Sequence, residues 1–197
     1  MQVIPLKDRV ILKGFAWRRR RKHLLDFPNS FRHTEHLLIC LPIDQEEARR
    51  AVTVVPDLIN CFEASAATVA GPPASTAVCE SLTLPGRVDT INRDDRRWCG
   101  LPRAALVDRI TGDGLNAAVD LNPDLDVMTA ALCLQSGAPL RICFQGRRRD
   151  LFFNVQIAVS SQAQSEAADH ASAGSNASPV TPYTRFLNTI RGMMGKS

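Results

Sequence analysis

The residues of this chain whose type and spacing could do chemistry are carboxylates and amides that sit where an apolar run ends. Asp44 follows the apolar run 36–41, and Asp120, Asn122 and Asp124 follow or close the run 117–121. A carboxylate so placed can act as a general base, and carboxylates and amides together can accept hydrogen bonds from a ligand. The same residue types have a purely local use. An aspartate that opens a helix accepts backbone N–H bonds and favours the helix dipole, and Asn-Pro-Asp is ordinary turn chemistry. On sequence alone both uses stand open.

Positive charge is the second chemical resource. It gathers at Arg18–Lys22, beside Phe15 and Trp17, at 147–149, and at Arg185, Arg191 and Lys196. Such clusters attract the phosphates of nucleic acid or of anionic lipid, or are simply solvated surface. A formal net charge of +4, 6% aromatic residues and the absence of a zinc-finger or recognition-helix pattern argue against a nucleic-acid partner. Neither GxGxxG nor GxxxxGK[ST] occurs, so phosphate binding lacks its usual glycine-rich support, and no nucleophile carries the local signature of activation. The six cysteines include no CxxC pair and the four histidines have no metal-ligand spacing. No cofactor and no metal are expected. The cysteines read as small buried hydrophobes.

These residues need elements to hold them. Residues 36–41 read as a strand, 44–62 as a long helix interrupted or kinked near Pro56, and 66–70 as a second strand ended by Gly71-Pro72-Pro73. The helix has an apolar stripe of Ile43, Ala48, Ala51, Val52, Val55, Leu58, Ile59 and Phe62. Short strands are expected at 78–84 and 88–91, and a helix at 102–110 closed by Gly112 and Gly114. The plainest signal is 117–159: a strand at 117–121, a helix ended by Ser136-Gly137, a strand at 140–144 and a further strand before Val159. Strand, helix, strand is the βαβ unit, with parallel strands and a right-handed crossover. The fold class is therefore α/β, a mostly parallel sheet of five or six strands flanked by helices. Ligands of such sheets sit beyond the strand carboxyl ends, which puts Asp120, Asn122, Asp124 and the loop after Phe144 on the functional edge.

The two ends have a different character. Residues 1–28 form a basic N-terminal segment ahead of the domain at 29–159. Residues 160–180 contain no Leu, Ile or Phe and read as a disordered linker. Thr181-Pro182 then starts an amphipathic helix over 181–197, with apolar residues at 183, 186, 187, 190, 193 and 194. Its stripe must dock on its own domain, on a partner protein, or, together with Arg18–Lys22, on an anionic membrane surface. No stretch approaches the roughly 18–20 apolar residues of a membrane span, and the N-terminus lacks the pattern of a signal peptide. A cytoplasmic protein, peripheral at the inner membrane at most, is expected.

Residues 30–158 resemble the N-terminal half of glycosyltransferase family 9, the ADP-heptose:lipopolysaccharide heptosyltransferases. The match is carried by Val119-Asp-Leu-Asn122 at a strand end, the small-residue helix after it, Ser136-Gly-Ala138, the Arg141-Ile142 strand and Phe152-Phe-Asn154. The resemblance implies a Rossmann-like domain of GT-B type, the half that in the family receives the acceptor and holds a catalytic aspartate. It implies Asp44 as base on an acceptor hydroxyl, although the glycine that precedes the family's aspartate is missing here; Asp120, Asn122 and Asp124, from their place on the ligand edge of the sheet, are the groups that would offer acceptors to a sugar. A length of 197 residues suits one such domain, whereas a GT-B enzyme needs two. The expectation is a heptosyltransferase-like half-domain that is a non-catalytic accessory or interaction protein of bacterial envelope glycan metabolism. The alternative is a glycosyltransferase subunit active only with a separate donor-binding chain.

Overall fold

Leu37 to Leu41 are fully buried without a break, as expected of a strand covered on both faces in a parallel sheet. In the computed structural model, which describes residues 34–79, 82–112, 114–159 and 181–195, this run forms β1 (His36–Cys40) at the middle of a six-stranded sheet. The others are β2 (Ala66–Gly71), β3 (Gly86–Thr90), β4 (Ala117–Asp120), β5 (Leu140–Phe144) and β6 (Val155–Ile157). All pairs are parallel and the order is β3-β2-β1-β4-β5-β6. The basic segment 1–28 with Arg18–Lys22 and the whole of the linker 160–180 lie outside the described residues.

The strand period of two divides the core. Leu37, Ile39, Val119, Leu121, Leu140, Ile142 and Phe144 face one side, where α1 (Gln45–Val52) and α2 (Val55–Phe62) pack. Leu38, Cys40, Ala118 and Cys143 face the other, covered by α4 (Ala104–Thr111) and α5 (Val127–Gln135). A one-turn helix α3 (Pro73–Thr76) and a 3-10 turn (Ala77–Cys79) link β2 to β3. Hence the connections cover one face before the chain crosses from β3 to β4 and the other face after it.

Three local expectations are refined. The stretch 44–62 is two helices, broken at Thr53-Val54, with Pro56 in the first turn of α2, where its missing N–H has no intrahelical partner to lose. Its stripe is buried except for Ile43, which lies before α1 and is exposed. The strand expected at 78–84 is replaced at 77–79 by the 3-10 turn. The next strand starts earlier than expected, at Gly86, because that residue takes φ +147° and a Cβ there would lie 1.9 Å from the Ala67 carbonyl oxygen of β2.

The C-terminal helix α6 (Pro182–Met193) docks on its own domain. Thr181 caps it by accepting a bond from the Thr184 N–H, and Tyr183, Phe186, Leu187 and Ile190 are buried against the β1–β5 face. The Phe144 ring lies 5.6 Å from that of Tyr183 and 4.5 Å from that of Phe186. Tyr183 donates its hydroxyl to Glu47 at 2.8 Å, and Arg191 pairs with Asp57 at 3.0 Å. Among the described residues no helix is long and apolar enough to cross a membrane.

Candidate functional site

The order β3-β2-β1-β4-β5-β6 reverses direction between β1 and β4, and in open α/β sheets ligands bind beyond the strand carboxyl ends at such a reversal. The two loops there contain the carboxylates singled out from sequence. Tertiary structure treats the four candidates differently.

Asp120 ends β4, opposite Cys40 of β1 and Cys143 of β5. Its side chain is fully buried. Oδ1 accepts from Asn122 Nδ2 at 2.6 Å and from the Asn122 backbone N–H at 3.2 Å, and the Thr129 hydroxyl of α5 donates to the carboxylate at 3.4 Å. Burial pushes the carboxyl up to about 6, against the pull of the Asn122 bonds and the Arg149 charge. Asn122, also buried, stitches the loops together: its Oδ1 accepts from the Ile43 N–H at 3.1 Å, and its Nδ2 donates to the Leu41 carbonyl at 3.3 Å.

The fourth member of this cluster is Arg149, which sequence reasoning missed. Within an Arg-Arg-Arg run it reads as solvated charge, yet it is 1% exposed and its Nη2 donates to the carbonyls of Asn122 at 2.8 Å and Pro123 at 2.7 Å. Its Nη1 is buried without a hydrogen-bond partner. Gly146 makes the room, since a Cβ there would lie 2.9 Å from Arg149 Nε. Arg148, just before, takes the left-handed conformation at φ +62°, which turns the chain so that the third arginine enters the molecule. A glycine three residues before an arginine was the available signal, and it is too common to single one arginine out of three.

Asp44 is exposed and is the N-cap of α1, its Oδ1 accepting from the Glu47 N–H at 2.9 Å. Asp124 is exposed and stands apart from the cluster. Asp126 caps α5 through the Met128 and Thr129 N–H groups and so fixes the helix that presents the Thr129 hydroxyl. The structure thus brings Asp120, Asn122, Thr129 and Arg149 into one sealed polar cluster and leaves Asp44 and Asp124 outside it.

Next to the cluster lie Cys40 and Cys133, with their sulfurs 3.7 Å apart and both fully buried. The Cys40 contact and burial together push the Cys133 thiol up; against the pull of the Cys133 contact burial raises Cys40, and burial pushes Cys143 up to about 12. Thiols held protonated in this way are poor nucleophiles. Their surroundings are the apolar second face of the sheet.

The backbone is similar to the crystal structure of a glycosyl transferase family 9 protein from Veillonella parvula DSM 2008, with a TM-score of 0.56 over 85% of this chain at 8% identity. The chain spans 43% of that protein's length. No protein-family model matches the sequence. No curated protein matches it significantly. At this identity the likeness establishes a GT-B-like, Rossmann-type fold, and fold by itself does not assign activity.

Proposed function

We propose that this chain is a glycosyltransferase-like half-domain working as a non-catalytic accessory or interaction protein, in the bacterial envelope-glycan setting of the family it resembles. One observation carries the reading. The carboxylate that ends β4 at the switch point, where a ligand of this fold would be met, is consumed internally: Asp120 is fully buried and bonded to Asn122 and Thr129. A general base must come within hydrogen-bond reach of the proton it removes, and this one faces its own loop.

The test is equilibrium binding and transfer. The purified chain, titrated with ADP-sugars by calorimetry and assayed for sugar transfer, is expected to show neither. Turnover by the isolated chain would falsify the non-catalytic reading.

A transferase subunit completed by a separate donor-binding chain is the second reading, favoured by the exposure of Asp44 at the carboxyl end of β1. Asp44→Asn separates the two, because asparagine keeps a capping oxygen while removing the base. Activity that appears only with an added donor-binding chain and collapses in Asp44→Asn, at unchanged stability, would establish the subunit reading.

A further inference from the structure

Trp98 is 92% exposed, although the loop that carries it is tightly built. The loop leaves β3 at the carboxyl edge of the sheet and returns as α4. Its tip is a turn in which the Gly100 N–H bonds the Arg97 carbonyl at 2.8 Å, and the Arg97 N–H bonds the Leu101 carbonyl at 2.8 Å. Gly100 has φ +87°, the conformation that closes the turn. The base is equally held. Arg103 N–H bonds the Asp95 carbonyl at 2.8 Å, Asp95 caps the turn at Asn92, and the Asp95 carboxylate takes the Arg109 guanidinium at 3.2 Å. Pro102 is buried and Leu101 packs on the second face of the core. The indole is therefore held out into water by an ordered scaffold.

Its neighbours are cationic. Arg93, Arg97 and Arg103 are exposed, and among the described residues none of them is ion-paired to an acid. Of the two aspartates in the loop, Asp95 is already committed to Arg109, which leaves Asp94 against three guanidinium groups, of which that of Arg103 also donates to the Arg96 carbonyl at 3.4 Å.

The shape selects the occupant. A small ligand needs a concave site that encloses most of its surface, and a side chain projecting this far provides no walls. A protein partner of ordinary size needs an apolar core of several residues around the anchor. Here the other exposed large apolar side chains among the described residues are Ile43, Val88 and Met193, none of them in this loop. A bilayer asks for neither concavity nor an apolar patch. It takes a lone indole at the headgroup level, where tryptophan concentrates in membrane proteins, and anionic headgroups answer to arginines beside it.

We propose that the Arg93–Arg103 loop is an anchor for an anionic lipid surface, with Trp98 inserted at the headgroup level and Arg93, Arg97 and Arg103 on the lipid phosphates. The anchor stands independently of whether the switch-point carboxylates do chemistry.

Trp17→Phe in the full chain leaves Trp98 as the single tryptophan of the two in the sequence and makes it a local reporter. With phosphatidylcholine vesicles containing about one-third phosphatidylglycerol, its emission is expected to shift to the blue and to be quenched by lipids brominated near the headgroup end of the acyl chain. Pure phosphatidylcholine vesicles and high salt are expected to abolish both signals. Replacing Arg93, Arg97 and Arg103 with glutamine is expected to weaken vesicle binding about fivefold per arginine. Because all four side chains are exposed, the thermal unfolding of these variants serves as the control for folding. Emission that stays solvent-like on anionic vesicles overturns the proposal, even if the chain sediments with them through other segments. An equal shift on neutral vesicles overturns it as well, because the arginines then have no role, and blue-shifted emission only with an added protein partner would transfer the loop to a protein interface.

Discussion

The switch-point cluster and the α6 docking site lie on opposite faces of the same sheet; the first encloses polar and charged residues that sequence presents as surface chemistry, the second an apolar stripe that sequence shows must dock. At the cluster, Asp120, Asn122, Thr129 and Arg149 bury polar and charged groups against one another. On the other face Tyr183, Phe186, Leu187 and Ile190 bury apolar surface against Phe144 and the β1–β5 face. The energetics differ in kind. Apolar burial is non-directional and favours docking of the helix in proportion to the area covered. Polar burial approaches break-even when complete and becomes costly once a partner is removed, so it contributes more to positioning loops than to holding the fold together. The α6 dock should therefore respond to substitution by degrees of lost area, the switch-point cluster by whether a partner remains.

The largest effect is expected at α6. Phe186→Glu together with Ile190→Glu places two carboxylates where fully buried apolar side chains pack. A loss of at least about 5 kcal/mol in urea unfolding is expected, the sum of lost apolar burial and charge desolvation. Unchanged stability would show that the helix is not part of the domain's core and would break the comparison at its apolar end.

Next is Arg149→Met, which leaves the Asp120 carboxylate without the nearby cation and the Asn122 and Pro123 carbonyls without their donor. The expected cost is about 3–5 kcal/mol, the usual result of removing one member of a buried charged set. Adding Asp120→Asn should recover a large part of it, since no uncompensated charge remains. If the double variant were as unstable as the single, Arg149 would act through packing and its bonds to the Asn122 and Pro123 carbonyls rather than through its charge.

The smallest effect is the pH dependence. In the folded chain Asp120 titrates near 6 because burial disfavours its charge, above an ordinary aspartate of about 4 in the unfolded chain. The sign follows. The native state holds the proton more tightly, so the relative stabilisation is complete below about pH 4 and is lost as pH rises through about 6, with a total near 2–3 kcal/mol. Unfolding free energy measured from pH 4 to 7 should fall with this component in the native chain and lose it in Asp120→Asn. Identical profiles for the two would mean that the carboxylate is better solvated than its burial indicates.

Particular residues show how far the primary structure could be read. Strands β1, β4 and β5 were legible because parallel strands buried on both faces are short, mostly apolar runs, broken in β5 only by the half-buried Arg141, and the βαβ unit at 117–144 follows from run length and the Ser136-Gly137 stop. Asp44 was legible as a cap, since capping depends on neighbours three residues away. Asp120 and Asn122 could be placed on the functional edge, but their burial could not, because the groups that enclose them come from α5, from the loop after β1 and from a loop 27 residues beyond Asn122. Arg149 was illegible among three arginines, for its fate depends on the Arg148 turn and the space left by Gly146.

What the amino-acid sequence determined by itself is the set of local decisions: where most strands and helices begin and end to within a few residues, the strand expected at 78–84 and the break at Thr53-Val54 excepted, the parallel α/β class, and the existence of a C-terminal helix with an apolar stripe. These depend on periodicity, caps and turn residues that act within one or two helical turns. Tertiary structure alone decided which side chains meet: that β1 and β4 are neighbours at the reversal, that Asp120 and Arg149 are enclosed together, that α6 covers Phe144, and that Trp98 is held out in water. The reason is physical. Exposure, pKa and hydrogen-bond satisfaction are set by atoms within a few ångströms, and at the switch point those atoms come from residues up to 81 positions apart in the chain.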